Sequence, residues 1–135
     1  MQTAEIVYNG QLRTTATHVK SQTTIETDAP VDNNGKGERF SPTDLVAAAL
    51  GTCMVTIMGI TANQHKWQLE GTKVGVLKLM GTDPRRITQL KVVIDFPTGH
   101  NLGEKERKIL ETAALNCPVA KSIHPDIIQD VTFNW

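Results

Sequence analysis

The sequence predicts an α+β fold built mainly from antiparallel sheet. Three observations lead there. Strand-like segments come in adjacent groups instead of alternating singly with helices, which is not the order of a doubly wound parallel fold. The segment Leu45 to Ala62 carries no charged residue and has the length of a helix. A second segment, Leu102 to Asn116, places apolar residues at helical spacing.

Ala4 to Tyr8 and Leu12 to Thr17 read as a hairpin around Asn9-Gly10, a dipeptide whose positions both accept positive φ. His18 to Glu26, rich in Thr, Val and Ile, reads as a third strand. Thr23 and Ile25 alternate there with Thr24 and Glu26, so one face meets water. Asp28 to Phe40 is a loop punctuated by Pro30, Asn33, Asn34, Gly35 and Gly37. It ends in Lys36, Glu38 and Arg39, charges delivered just before the uncharged segment. Such loops carry function in many proteins, although a solvated connection is the plainer role.

Ser41 can cap the long helix with its hydroxyl. Pro42 then falls at the first helical position, where a missing N–H costs nothing. Asp44 lies in the first turn, where a negative charge suits the helix dipole. From Leu45 to Ala62 the run spans about 27 Å at helical rise and has no polar face. A helix apolar all round needs cover on most sides. It just reaches the length of a membrane span. However, Gly51, Gly59, Thr52, Thr56, Thr61 and many alanines make it weak for lipid. The expectation is a buried central helix.

Trp67 to Met80 alternates as a strand, with Gly71 and Gly75 as bulges or bends. Gly81 to Pro84 turns the chain, and Arg86 to Phe96 returns as the partner of a hairpin. In the second helix Glu104 and Glu106 come early, and Ile109, Leu110, Ala113 and Ala114 form one apolar face. Pro118 breaks it at Cys117. Val119 to Ile123 makes a further helical turn, and Ile127 to Trp135 a last strand. One sheet and one helix cover only part of the long helix, so a second subunit is expected to cover the rest.

At 135 residues the chain is expected to form a single domain, 1–135, with a real core. Its formal charge is zero, with no basic run and few aromatic residues, which argues against nucleic acid as a partner. The N-terminal Met-Gln-Thr-Ala-Glu-Ile-Val has no signal-peptide character. A cytoplasmic location without membrane attachment is the expectation.

Cytoplasmic thiols stay reduced, so Cys53 and Cys117 are not a structural staple. They are either inert core side chains or a redox pair, and residue types alone leave both open. Small residues near Cys53 (Ala48, Ala49, Gly51) permit close approach of the second helix, which ends at Cys117. In a redox pair one thiolate is oxidised to a sulfenic acid and the other thiol condenses with it to a disulfide. A free thiol has a pKa of about 8.5, and burial raises it, so a cation is needed. Arg39 is the first candidate, with Lys36 and Lys121 behind it. A carboxylate can orient such a guanidinium through paired hydrogen bonds. His18, His65, His100 and His124 lack the spacing of a zinc site, and no metal is expected. Gly35 and Gly37 lead into no phosphate loop. Met54 and Met58 read as core filler.

Phe-Ser-Pro-Thr-Asp-Leu-Val-Ala-Ala-Ala-Leu-Gly-Thr-Cys, residues 40 to 53, resembles the cysteine helix of the OsmC-like proteins, which include the organic hydroperoxide resistance proteins. Asn-Cys-Pro-Val-Ala-Lys-Ser, residues 116 to 122, resembles their second cysteine motif. The order of elements is similar over nearly the whole chain. The resemblance implies an intertwined α+β homodimer with antiparallel sheets wrapped around two central helices. It implies a thiol peroxidase with Cys53 as peroxidatic and Cys117 as resolving cysteine, in a site built across the subunit interface. Its substrates would be organic (alkyl or lipid) hydroperoxides. The reductant would be a dithiol such as a lipoylated protein, with neither metal nor organic cofactor.

The family's peroxidases add an arginine from the loop region, to which Arg39 is similar, and a glutamate early in the cysteine helix. Where many members read Pro-Glu, this chain has Pro42-Thr43, with Asp44 next, about 100° further round the helix. Glu38 and Asp44 are the candidate carboxylates. The departure at Thr43 supports an alternative: a redox-sensing or small-ligand-binding protein of the same fold, with little or no peroxidase activity.

Overall fold

The computed structural model describes every residue, Met1–Trp135. The fold is α+β, with two three-stranded sheets and three α-helices. The chain divides into two compact units, Met1–Val46 and Ala47–Trp135.

In the first unit β1 (Ala4–Gly10), β2 (Arg13–His18) and β3 (Thr24–Asp28) form an antiparallel sheet in that order. The hairpin exists, but its turn is not at Asn9-Gly10. Gly10 pairs with Arg13, so the two turn residues are Gln11 and Leu12, at φ 54° and 62°. Both take the left-handed conformation that a tight hairpin turn requires. The register slips between Tyr8 and Gly10. Asn9 is therefore the extra residue of a bulge, its side-chain amide donating to Thr15 Oγ1 at 2.7 Å.

β3 starts and ends later than the residue pattern suggests: His18 still belongs to β2, and Val19 to Thr23 is consumed by a turn closed by His18 N–H donating to Thr23 O at 2.8 Å. After β3, Asp28 N–H donates to the Phe40 carbonyl at 3.1 Å and closes the following loop at its base. A single 3-10 turn, Val31–Asn33, lies inside that loop. A Cβ at Gly35 would collide with the Ala29 carbonyl, so the loop admits only glycine there.

The longest helix, α1 (Pro42–Gln64), begins in the first unit with a reciprocal cap. Ser41 Oγ accepts from Asp44 N–H, and the Asp44 carboxylate accepts from Ser41 N–H, both at 3.0 Å. The helix ends where Lys66 turns left-handed at φ 60° and Trp67 N–H donates back to Ala62 O at 2.8 Å. Trp67 to Thr72 is spent on leaving the helix, with Thr72 N–H and Oγ1 both donating to Leu69 O. The next strand therefore starts at Lys73, not at Trp67.

In the second unit β4 (Lys73–Gly81), β5 (Arg86–Asp95) and β6 (Ile128–Asn134) form the other sheet. α2 (Glu104–Leu115) and α3 (Pro118–Ser122) lie between β5 and β6 in the chain. β4 and β5 pair antiparallel, as the hairpin reading requires. β5 and β6 pair parallel, because a crossover carrying helices returns the chain to the same end of the sheet. Gly75 is no bulge; it pairs regularly with Val93, and the irregularity sits between Leu79 and Met80.

β5 alternates with period two: Leu90, Val92 and Ile94 are buried, while Lys91, Val93 and Asp95 face water. The buried face meets one stripe of α1, Leu50, Met54 and Met58, together with Leu110 and Ala114 of α2. The other faces of α1 are half-buried or exposed, and 33% of its most apolar stretch is buried.

Gly51 lies on the buried stripe, and a Cβ there would sit 2.8 Å from Val76 Cγ2 and 3.1 Å from Val74 Cγ1. Replacing a helical glycine gains about 1 kcal/mol of helix propensity, whereas forcing side chain into a packed core costs about 1–3 kcal/mol. Gly51→Leu is therefore expected to lower the urea midpoint despite the gain in propensity.

Candidate functional site

Cys53 sits midway along α1 and is half-buried; Cys117 is fully buried in the core of the same unit. Both are free thiols. The fold brings them near each other: the Cys53 side chain lies close enough to the Cys117 thiol to influence its ionisation. Pro118 explains the placement of Cys117. It excludes helical geometry from the preceding residue, and Cys117 is extended at φ −65°, ψ 153°. Its Sγ then caps α3, accepting from Ala120 N–H at 3.4 Å.

Burial pushes the Cys117 thiol above its ordinary pKa, and the neighbouring Cys53 adds to the rise. The Ala120 N–H works against both without cancelling them. Cys117 is therefore a protonated thiol at neutral pH. Two such sulfurs, one with solvent access and one without, can interconvert between dithiol and disulfide.

Of the charged candidates, Lys121 lies in the last turn of α3 in the second unit, and Lys36, Glu38, Arg39 and Asp44 lie in the first. Asp28, its side chain fully buried, takes a bidentate pair from Arg13, Nε at 2.7 Å and Nη2 at 2.8 Å. It also accepts from Glu38 N–H at 3.1 Å. These donors hold the Asp28 carboxyl below the usual carboxylate range, the Arg13 bond outweighing the opposite push of burial. The same bond raises the Arg13 pKa.

Arg39 is half-exposed and donates Nε to Glu26 Oε1 at 3.1 Å and Nη1 to the Glu38 carbonyl at 3.0 Å. Glu38 meets Arg39 through its backbone; its carboxylate lies 3.5 Å from Arg13 Nη2. Asp44 takes part in the α1 cap. Thr43 Oγ1 shares a hydrogen bond with Ser41 Oγ at 3.2 Å.

The carboxylate beside Arg39 is thus Glu26, which the residue types did not single out. A signal existed: Glu26 and Asp28 are two apart on a strand and share one face. Asp28 stands opposite Arg13 in the register. The histidines are engaged locally. His65 stacks on Trp67 at 4.2 Å, His100 Nδ1 accepts from Leu102 N–H, and His124 Nδ1 accepts from Asp126 N–H. His18 shares a hydrogen bond with Ser21. No three His, Cys, Asp or Glu side chains gather as a metal-binding cluster.

The family pattern described as OsmC-like protein matches residues 35–131. A solved structure from Psychrobacter arcticus 273-4, described as an osmotic stress induced and detoxification response protein, is 50% identical with a TM-score of 0.95. The match covers 99% of this chain and 96% of that one. An organic hydroperoxide resistance protein OsmC from Legionella pneumophila shares the fold at 18% identity and a TM-score of 0.77, covering 100% and 98% of the two chains. So does a Vibrio cholerae organic hydroperoxide resistance protein with captopril bound in one of its active sites, at 15% identity and 0.75, covering 99% and 92%. No curated protein matches the sequence.

Two outcomes follow from the geometry. Iodoacetamide at neutral pH is expected to label Cys53 before Cys117 in the folded protein, and both at similar rates in urea, as read by peptide mass spectrometry. Asp28 has a folded pKa below its unfolded value of about 3.9. Its contribution to stability is therefore present above that value and lost as pH falls through the folded one. The urea-midpoint gap between the parent and Asp28→Asn is expected to stay constant from pH 7 to about pH 5 and to narrow below about pH 4.

Proposed function

Because the chain belongs to the OsmC-like protein family, we propose that it is a thiol-dependent peroxidase for organic hydroperoxides, with Cys53 as nucleophile and Cys117 as resolving thiol. The observation that carries this reading is the nearness of a half-buried and a fully buried thiol drawn from separate elements. The Cys53 thiolate attacks the distal peroxide oxygen and the O–O bond breaks. The alkoxide leaves as the alcohol after taking a proton, and Cys53 becomes a sulfenic acid. The Cys117 thiol then attacks the Cys53 sulfur, water leaves, and the disulfide forms. A dithiol, such as a lipoylated protein, returns both to thiols by exchange.

The unequal burial suits unequal roles. Cys117, kept protonated by its surroundings, waits while the accessible sulfur meets the oxidant. On this reading Arg39 is the cation that favours the Cys53 thiolate and the developing negative charge on oxygen, with Glu26 orienting it. No metal or organic cofactor takes part.

Within the same proposal the working unit is a homodimer. Outside its buried stripe α1 offers apolar surface that includes Ile60, 50% exposed. The first sheet and its loop expose Ile6, Val7, Tyr8 and Phe40, each near 60%. A monomer rarely leaves that much apolar surface uncovered, and a second copy would cover it. An apolar interface would favour an alkyl or lipid hydroperoxide over hydrogen peroxide. We read α1 as a core and interface helix, with Leu50, Met54 and Met58 fully buried, and place the protein in the cytoplasm, away from the membrane.

One observation favours the second reading, a redox-sensing or ligand-binding protein with little turnover. Thr43 offers a hydroxyl bonded to Ser41 where the family's peroxidases offer a glutamate.

Stopped-flow consumption of cumene hydroperoxide by the reduced protein separates the two. The parent is expected to consume it, and Cys53→Ser is expected to lose the activity. Cys117→Ser should complete one turnover and stop at the sulfenic acid. Equimolar peroxide should remove two hydrogens and link the two cysteine peptides in the mass spectrum. If Cys53→Ser consumes the peroxide as fast as the parent, the assignment is wrong.

A further inference from the structure

α3 is five residues long, too short to be held by its own hydrogen bonds. Yet the Ala120 N–H within it donates to Cys117 Sγ. The opposite side of the same residue is tied elsewhere. The Ala120 carbonyl, at the end of a helix where carbonyls lack helical partners, accepts from Gln129 Nε2 at 2.9 Å. Gln129 belongs to β6 and stands opposite Leu90 of β5, which is fully buried in the core. A continuous path therefore runs from the sheet through the Gln129 amide and the backbone of Ala120, across its Cα, to the sulfur of Cys117. The contact is partly buried, where a lost hydrogen bond is not fully replaced by water.

We propose that Gln129 is a positioning residue for disulfide formation: its side-chain amide holds the Ala120 carbonyl, and through α3 keeps the Cys117 sulfur within reach of Cys53. The link to turnover rests on the peroxidase reading; the link to the Cys117 thiol does not. The step concerned is condensation of the Cys53 sulfenic acid with the Cys117 thiol. An S–S bond forms, the S–O bond breaks, and oxygen leaves as water with the thiol proton. The earlier attack on peroxide does not involve α3, so Gln129 acts on the second step alone.

The side chain supplies a neutral donor of a given reach. Methionine has similar reach without a donor, and lysine keeps a donor. Gln129→Met and Gln129→Lys are therefore the informative pair, both at a half-buried position. Three rates are measured for each in parallel with the parent. They are dimedone trapping of the Cys53 sulfenic acid in a Cys117→Ser background, disulfide closure after one equivalent of cumene hydroperoxide, and disulfide closure by diamide, which joins two thiols without peroxide.

For Gln129→Met, trapping is expected to be unchanged and both closures about fivefold slower, the scale of one lost hydrogen bond. Gln129→Lys should restore them. Closure at the parental rate in Gln129→Met, equal slowing of trapping and closure, or failure of lysine to restore closure overturns the proposal. Failure of the peroxidase reading looks different. The parent then forms no sulfenic acid, and the diamide rates alone decide whether Gln129 positions Cys117.

Discussion

The structure depends on a helix that has no charge between Asp44 and its end. Such a helix has no charged face to offer water, and cover on most sides favours it. Within the second unit the β5 face and α2 cover one stripe, with Leu50, Met54 and Met58 removed from water. Gly51 on that stripe lets Val74 and Val76 of β4 come close. The remaining sides carry threonine and isoleucine at the surface, Thr52, Thr56 and Ile60 among them. The catalytic sulfur of the proposed reaction stands on this same helix, so its access to solvent and the covering of the helix are a single problem.

The two thiols are separated in the chain and differ in surroundings. Cys53 is one of many small side chains on a regular helix. Cys117 owes its place to a proline, which stops α2 and turns the residue before it into the cap of α3. Burial disfavours the charged form of Cys117, while a backbone N–H pulls weakly the other way. A buried thiol of that kind suits the resolving role in a peroxidase, and it would suit an inert core residue if no partner stood beside it. The nearness of Cys53 is what supports the resolving role in the proposed reaction.

The charges in the first unit follow from strand geometry. Glu26 and Asp28 share a face of β3, and each takes a guanidinium, Arg39 from the loop and Arg13 from β2. The buried member of the pair is satisfied by three donors, as a buried carboxylate must be. The same carboxylate ties down the loop through Glu38 N–H. Arg39 is thereby carried on a segment fixed at both ends, since Asp28 N–H also binds the Phe40 carbonyl.

Local chemistry made much of this legible in the chain itself. The Ser41–Asp44 cap, the uncharged run, the break at Pro118, the β4–β5 hairpin and the two cysteine motifs depend on near neighbours, and the sequence by itself determined them. Where neighbours gave two answers, the tertiary structure chose. Asn9-Gly10 suits a turn or a bulge, and strand register made it a bulge. Trp67 to Thr72 alternates like a strand, but leaving α1 used those residues. The parallel pairing of β6, the choice of Glu26 for Arg39 and the meeting of Cys53 with Cys117 join residues far apart in the chain. Such contacts depend on how whole elements pack, and no local pattern of residues encodes them.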